Sequence, residues 1–184
     1  MTRRSFYERA QLDVERARRY FKPLSCAVID IDNFKLVNDT HGHASGDRLV
    51  QHLVSICKSG LRASDYLGRI GGDEFAMMLP DTSVVDAFDV ADRLRKGLAA
   101  AALEVSGTPM PLTVSIGIAE YIQPEASLDE LLHDADAALY DAKSKGKNRV
   151  VRYLDDLRIA PDDPPQAPSR VGYSYRDAPR KQAS

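Results

Sequence analysis

Almost no net charge is left once the acids and bases of this sequence are balanced: 25 lysines and arginines stand against 27 aspartates and glutamates, a formal −2. A chain so balanced is not an electrostatic glove for a nucleic-acid polymer, and any phosphate ligand has to be held by a local cluster of charges. Cysteine is scarce as well. The two present, Cys26 and Cys57, fall in an apolar run and in an apolar helical pattern, which reads as buried free thiols of a cytosolic protein. Long hydrophobic runs are missing: nothing approaches the ~18 apolar residues that cross a bilayer. The opening MTRRSFYERAQ has no apolar signal core. Cytoplasmic residence is therefore the expectation. What remains is ordinary: 43% hydrophobic and 28% charged residues, in 184 residues that suit one domain and its core.

Periodicity predicts a basic amphipathic helix over Arg3–Tyr20, with Phe6, Ala10, Val14 and Ala17 on one stripe and Pro23 ending it. Leu24–Asp32 is an apolar run closing on acids, suited to a buried strand. Ser45–Cys57, Val84–Leu98 and Leu128–Ser144 have helical spacing. Leu112–Tyr121 and Arg149–Tyr153 read as strands. Tyr66–Ile70 and Phe75–Leu79 flank Gly71-Gly72, which reads as a β-hairpin whose glycines supply positive φ angles. The pattern is one α/β domain over residues 1–154. Residues 155–184 read as a disordered tail, because residues 161–184 hold five of the ten prolines and almost no apolar periodicity.

Three stretches carry chemistry: IDIDNFK with the following Asn38-Asp39 and Gly42-His43, GGDEF at 71–75, and DAALYDAKSKGKNR at 136–149. Asp30 ends a strand, and Asp73 and Glu74 follow a glycine turn. If hairpin and strand are neighbours, their carboxylates converge at one sheet edge, a hard oxygen set suited to Mg²⁺ or Mn²⁺ with phosphates completing the shell. The plainer alternative is that Asp30 and Asp32 cap the next helix and Asp73 completes a turn. Lys143 and Lys147, four apart on one face of a helix end, could hold a triphosphate as point charges or simply suit the helix dipole; Lys35 is equally ambiguous. Asn38 and Asp47 are the polar groups best matched to guanine, whose N1–H and amine an ionised Asp accepts together, although Asp47 reads equally well as a surface helix acid. His41 and His43 lack the third nitrogen or sulfur ligand of a transition-metal site.

Read together and in order, DIDNFKLVNDTHGHASGD, RASDYLGRIGGDEF, TVSIGIAE and ADAALYDAKSKGKNRV closely resemble the GGDEF family of diguanylate cyclases over Arg3 to Val151. The resemblance implies a central, mostly antiparallel five-stranded sheet flanked by helices, like class III nucleotide cyclases and polymerase palms. It implies condensation of two GTP into cyclic di-GMP with release of pyrophosphate, by a metal-dependent transient homodimer. It implies metal ligation by Asp30, the Ile31 carbonyl, Asp73 and Glu74, with Asp73 and Glu74 catalytic. Guanine and substrate contacts fall to Asn38, Asp47 and His43, with Gly71 and Gly72 admitting the nucleotide. Phosphate contacts fall to Lys35, Lys143 and Lys147. Arg62-Ala63-Ser64-Asp65 is similar to the family's RxxD product-inhibition site, with Arg93 as its supporting arginine. Two rival functions remain: a non-catalytic module binding GTP or cyclic di-GMP, and a cyclase making another nucleotide. The family's usual opening, DxLTGLxNRR, is represented only by Thr2-Arg3-Arg4, so the expectation is weak association between domains.

Overall fold

The computed structural model describes residues 1–101, 103–105, 108–110, 112–122 and 125–153, with the side chains of 103–105 and 108–110 left aside. The order is α1 (Arg3–Tyr20), β1 (Leu24–Ile31), α2 (Phe34–His41), α3 (His43–Gly60), β2 (Tyr66–Arg69), β3 (Glu74–Pro80), α4 (Val84–Ala100), β4 (Leu103–Val105), β5 (Thr108–Met110), β6 (Val114–Glu120), α5 (Leu128–Ser144) and β7 (Val150–Arg152). Five strands form one sheet in the order β2-β3-β1-β6-β7, and β4 and β5 form a separate ribbon. Every pairing in the main sheet is antiparallel except β6 with β7.

Alternation along the strands splits the core in two. Leu24, Cys26 and Val28 of β1 with Ala76 and Met78 of β3 pack under α1 and α5. Ala27, Ile29 and Ile31 with Phe75, Met77 and Leu79 pack under α3 and α4. Period-two placement thus buries both faces of β1, as a central strand demands. The α1 stripe lies as its spacing implies, with Phe6, Ala10, Val14 and Ala17 all buried. The two thiols are buried and free; desolvation pushes Cys57 up to about 12 and raises Cys26 as well, so neither is a thiolate at neutral pH.

Gly117 of β6 fixes α5. A Cβ there would lie 2.1 Å from the Ala135 carbonyl oxygen and 2.1 Å from the Leu139 nitrogen, so only glycine lets the helix backbone rest on the strand. Ser127 and Glu130 start α5 with a reciprocal capping box.

Four sequence expectations need correction. Helix α1 stops at Phe21, in the left-handed region with its N–H on the Ala17 carbonyl, and Pro23 only follows this cap. The acids after β1 do not cap α2; its N-cap is Asn33, which makes no side-chain cap bond. Neither Gly71 nor Gly72 has positive φ, which among glycines belongs to Gly42 and Gly146. The hairpin closes through Ile70 and Gly71 N–H groups on the Glu74 carbonyl (3.0 and 3.2 Å), a longer loop that needs no left-handed residue. Lys143 and Lys147 do not share a helix face: α5 ends at Ser144, and Lys147 sits beyond it at φ 61°.

Candidate functional site

The register of β1 on β3 sets Asp30 opposite Glu74. On β1, Asp30 follows the Leu24, Cys26, Val28 alternation, so its carboxylate faces the α5 side. There Lys143, at the last turn of α5, reaches its Oδ2 at 2.7 Å. The Ile31 N–H donates to the Asp73 carbonyl at 3.3 Å, which ties the glycine loop to the end of β1. The Arg69 guanidinium donates to the Gly72 carbonyl from Nε at 3.0 Å and also from Nη2. Gly71 leaves room for the Glu74 carboxylate, whose Oε2 lies 2.6 Å from where a Cβ would stand.

Too many negative charges share this edge. Burial, then the neighbouring Asp73 and Asp32, raise the Asp30 carboxyl against the lowering effect of Lys143. Burial raises Glu74, and the charges of Asp30, Asp136 and Asp73 add to it. Asp136, one face of α5 with Lys143 at i and i+7, is itself raised by burial and lowered by Lys143. Sequence reasoning missed Asp136, although this helical spacing was the signal that could have found it.

Among the described residues no three carboxylate, imidazole or thiol side chains form a closed metal cage. The donor set still fits a hard cation of the Mg²⁺ type, which keeps waters and needs only one or two carboxylates beside phosphate oxygens. Asp30 and Glu74, with Asp73 adjoining, offer those oxygens. Burial raises Asp30 and Glu74 alike, neighbouring acids add to it, and a cation beside them would relieve that charge excess.

The sign of this excess gives a testable result. A carboxyl whose pKa is raised by folding contributes stability at low pH, and that contribution is lost as pH rises through the folded pKa. At neutral pH the ionised Glu74 therefore opposes the cation-free fold. Glu74→Gln should raise its melting temperature without divalent ions, by about 2 °C or less because partial exposure screens the charge. Calorimetry in a chelating buffer checks this; an unchanged or lower value would mean that Glu74 is not charge-crowded.

Farther along, α2 and α3 meet at Gly42 (φ 80°). Asn38 Oδ1 is buried without a partner, 2.1 Å from where a Gly46 Cβ would stand. Asp47 is next in sequence and exposed, as are Lys35, His41 and His43. The structure thus sets Asn38 against Gly46 of α3, one residue before Asp47, and leaves Lys35 in solvent.

Arg62 and Asp65 lie elsewhere, at a 470 Å³ groove also lined by Arg9, Lys58 and Arg69. Asp65 accepts the Arg62 N–H at 3.0 Å and the Ser64 hydroxyl at 3.0 Å, so it shapes the loop. Arg93 does not line this groove; it donates to the Gly60 carbonyl at 3.4 Å, at the loop's other shoulder. Arg9, missed in the sequence, stacks 3.9 Å over the Tyr66 ring and donates to the Ser64 carbonyl.

A mostly antiparallel sheet with helices on both faces, and acids delivered to one edge by β1 and the adjoining hairpin, is the palm architecture of nucleotide cyclases. The family model for the diguanylate cyclase GGDEF domain matches residues 1–149, and the chain belongs to that family. Diguanylate cyclase A of Treponema denticola is 42% identical over 134 residues, covering 73% of this chain and 36% of the relative. The response regulator PleD of Caulobacter vibrioides is 38% identical over 156 residues, covering 79% and 33%. The chain spans about a third of the length of these curated relatives. The solved active GGEEF domain of a diguanylate cyclase from Vibrio cholerae superposes with a TM-score of 0.79 at 33% identity, covering 83% of this chain and 97% of that one. The GGDEF domain of DgcB from Caulobacter crescentus, solved in complex with c-di-GMP, gives 0.79 at 30% identity, covering 83% and 90%. Among the described residues no helix is long and apolar enough to cross a membrane.

Proposed function

We propose that residues 1–154 form a diguanylate cyclase domain acting in the cytoplasm, a nucleotidyltransferase that joins two GTP into cyclic di-GMP and releases two pyrophosphates. The observation that carries this reading is the pairing of Asp30 with Glu74 across β1 and β3, with Lys143 drawn onto Asp30 at 2.7 Å. Acids and a lysine together suit a triphosphate and its cation. The unpartnered Asn38 Oδ1 supports a guanine at the α2–α3 turn, because a buried acceptor left alone costs ~1–3 kcal/mol that a base N–H would recover. Asp47 would take guanine's donor pair, and His43 would line the same pocket.

In the reaction the 3′-hydroxyl of one GTP attacks the α-phosphorus of the other, twice. Asp30, the Ile31 carbonyl, Asp73 and Glu74 would hold a divalent cation, Mg²⁺ or Mn²⁺, which when bound would supply charge neutralisation and a lower hydroxyl pKa. Lys35, Lys143 and Lys147 orient the phosphates. Gly71 and Gly72 keep the loop free of side chains where the nucleotide approaches. Asp73 or Glu74 takes the proton of the attacking hydroxyl. Each domain presents one GTP, so two domains must face each other. Product binding at Arg62 and Asp65, backed by Arg93, would slow the reaction.

The test is incubation of the protein with GTP and Mg²⁺ over a wide dilution series. Expected are cyclic di-GMP by mass spectrometry, a rate per mole that rises with protein concentration, and slowing by added product that Arg62→Ala abolishes. GTP binding with no product would make this a non-catalytic module. A flat specific activity with a monomeric mass would sink the two-domain reaction.

A further inference from the structure

Asp32 has no part in the chemistry above, yet it is 7% exposed, and its N–H and both carboxylate oxygens are engaged. Its N–H donates to the Thr113 carbonyl at 3.0 Å. Its Oδ1 accepts from the Ser115 hydroxyl at 2.7 Å. Its Oδ2 accepts from the Asn148 N–H at 3.0 Å. Among the described residues no ion pair joins it to a lysine or arginine. A buried carboxylate spent on a hydroxyl and an amide is doing a geometric task.

That task is visible one residue away. Gly146, Lys147 and Asn148 stand consecutively at φ 106°, 61° and 44°. Left-handed backbone is disfavoured for residues with a Cβ, and such runs persist only where surroundings over-determine them. The end of α5 holds the turn through the Gly146 and Lys147 N–H groups, on the Lys143 and Ala142 carbonyls at 3.3 and 3.1 Å, and further restraints come from three sides. Asp32 holds the Asn148 N–H from the sheet. Arg95 of α4 donates to the Asn148 carbonyl at 3.3 Å and to its Oδ1 at 3.0 Å. Lys147 donates its Nζ to Asn33 Oδ1 at 2.6 Å, and Asn33 is the neighbour of Asp32.

We propose that Asp32 is a positioning residue that locks the left-handed turn after α5, and through it aims Lys147 at the nucleotide phosphates beside Asp30. This rests on the phosphate role of Lys147 proposed above. The chain of contact runs from the β1–β6 sheet end through Asp32 to the Asn148 amide and so to Lys147. Without it, the Asn148 amide loses its only side-chain acceptor among the described residues, and the turn that carries Lys147 is held less tightly. The carboxylate acts as a pair of acceptors, so its charge is dispensable. An amide in its place can give its oxygen to Asn148 N–H and its NH₂ to the Ser115 oxygen.

The experiment has two readouts on the full chain. In nucleotide-free protein, Asp32→Ala should speed hydrogen exchange of the Asn148 amide at least ~10-fold, while Asp32→Asn leaves it close to wild type. With a non-hydrolysable GTP analogue and Mg²⁺, calorimetry should show Asp32→Ala and Lys147→Ala each weakening binding roughly tenfold, with the double variant no weaker than Lys147→Ala alone. Asp32→Asn should restore most of the affinity. Additive losses, an Asp32→Asn variant as weak as Asp32→Ala, or an unchanged Asn148 exchange rate would each overturn the proposal. Should Asp32→Ala fail to fold, Ser115→Ala and Asp32→Asn still separate a hydrogen-bonding role from a charge role. If Lys147→Ala alone binds normally, the phosphate reading of Lys147 falls, and the exchange rate still decides whether Asp32 holds the turn.

Discussion

Replacing Asp73 or Glu74 with alanine is expected to lower the rate of cyclic di-GMP formation by at least ~10²-fold, the scale on which charge stabilisation at a reacting phosphate is lost when one of its supports is removed. The fold should survive both changes. The Asp73 contribution to the loop is its backbone carbonyl, on the Ile31 N–H, and the Glu74 carbonyl, not its side chain, closes the hairpin. Glu74→Ala also removes one member of a crowded acidic group, so a lost melting transition would be surprising. The measurement is the initial rate at saturating GTP and Mg²⁺, with circular dichroism as the check on folding. Near-normal synthesis by either variant would remove that residue from the reaction. Asp30→Ala is a harsher change, because it also strips Lys143 of the carboxylate it holds at 2.7 Å; a larger loss there would not separate charge from structure.

These acids were readable because strand and turn signals are local. Leu24 to Asp32 is an apolar run that closes on acids, and Gly71-Gly72 sits between two short strands; only the register of β1 on β3 had to come from the structure. The same locality explains α1 and α5, whose bounds follow from stripe and cap. What was not readable depends on distance in the chain. Asp32 bonds to Ser115 and Asn148, 83 and 116 residues away, and nothing near it in sequence distinguishes it from a helix cap. The three-residue left-handed turn at 146–148 has only Gly146 and Asn148 as local signs, so Lys147 read as a continuation of the α5 face. Helix α2 was missed because it is only eight residues long and sets just Phe34 and Val37, both partly buried, against the core, too short a stripe to register. The β4–β5 ribbon is only three residues a strand, too short for alternation to register. The guanine reading of Asn38 came from the family resemblance and from donor counting, and its buried, unpartnered oxygen is information only packing could add.

Gly117→Ala is expected to be the most damaging single methyl group in the domain. Its Cβ would stand 2.1 Å from two backbone atoms of α5, and backbone cannot rotate aside as a side chain can. Overpacking of a close-packed interior commonly costs 1–3 kcal/mol, and a clash with the body of a helix belongs at the top of that range. At about 3 kcal/mol the melting temperature should fall by roughly 6–12 °C, taking 2–4 °C per kcal/mol for a chain of this size. The helix must lift from β6 to admit the methyl, and Lys143 and Asp136 travel with it. Activity measured well below the new melting point should therefore fall as well, with weaker GTP binding. Gly97→Ala is the matched control: on α4 its Cβ meets only Ile56 Cγ2, at an ordinary 3.8 Å. Alanine inside a helix gains roughly 0.5–1 kcal/mol over glycine, so that variant should melt higher and keep its activity. A Gly117→Ala protein as stable as wild type would mean that α5 and β6 have room to separate at no cost, and the close seating of the helix that carries Lys143 could then not be what holds the lysine on Asp30.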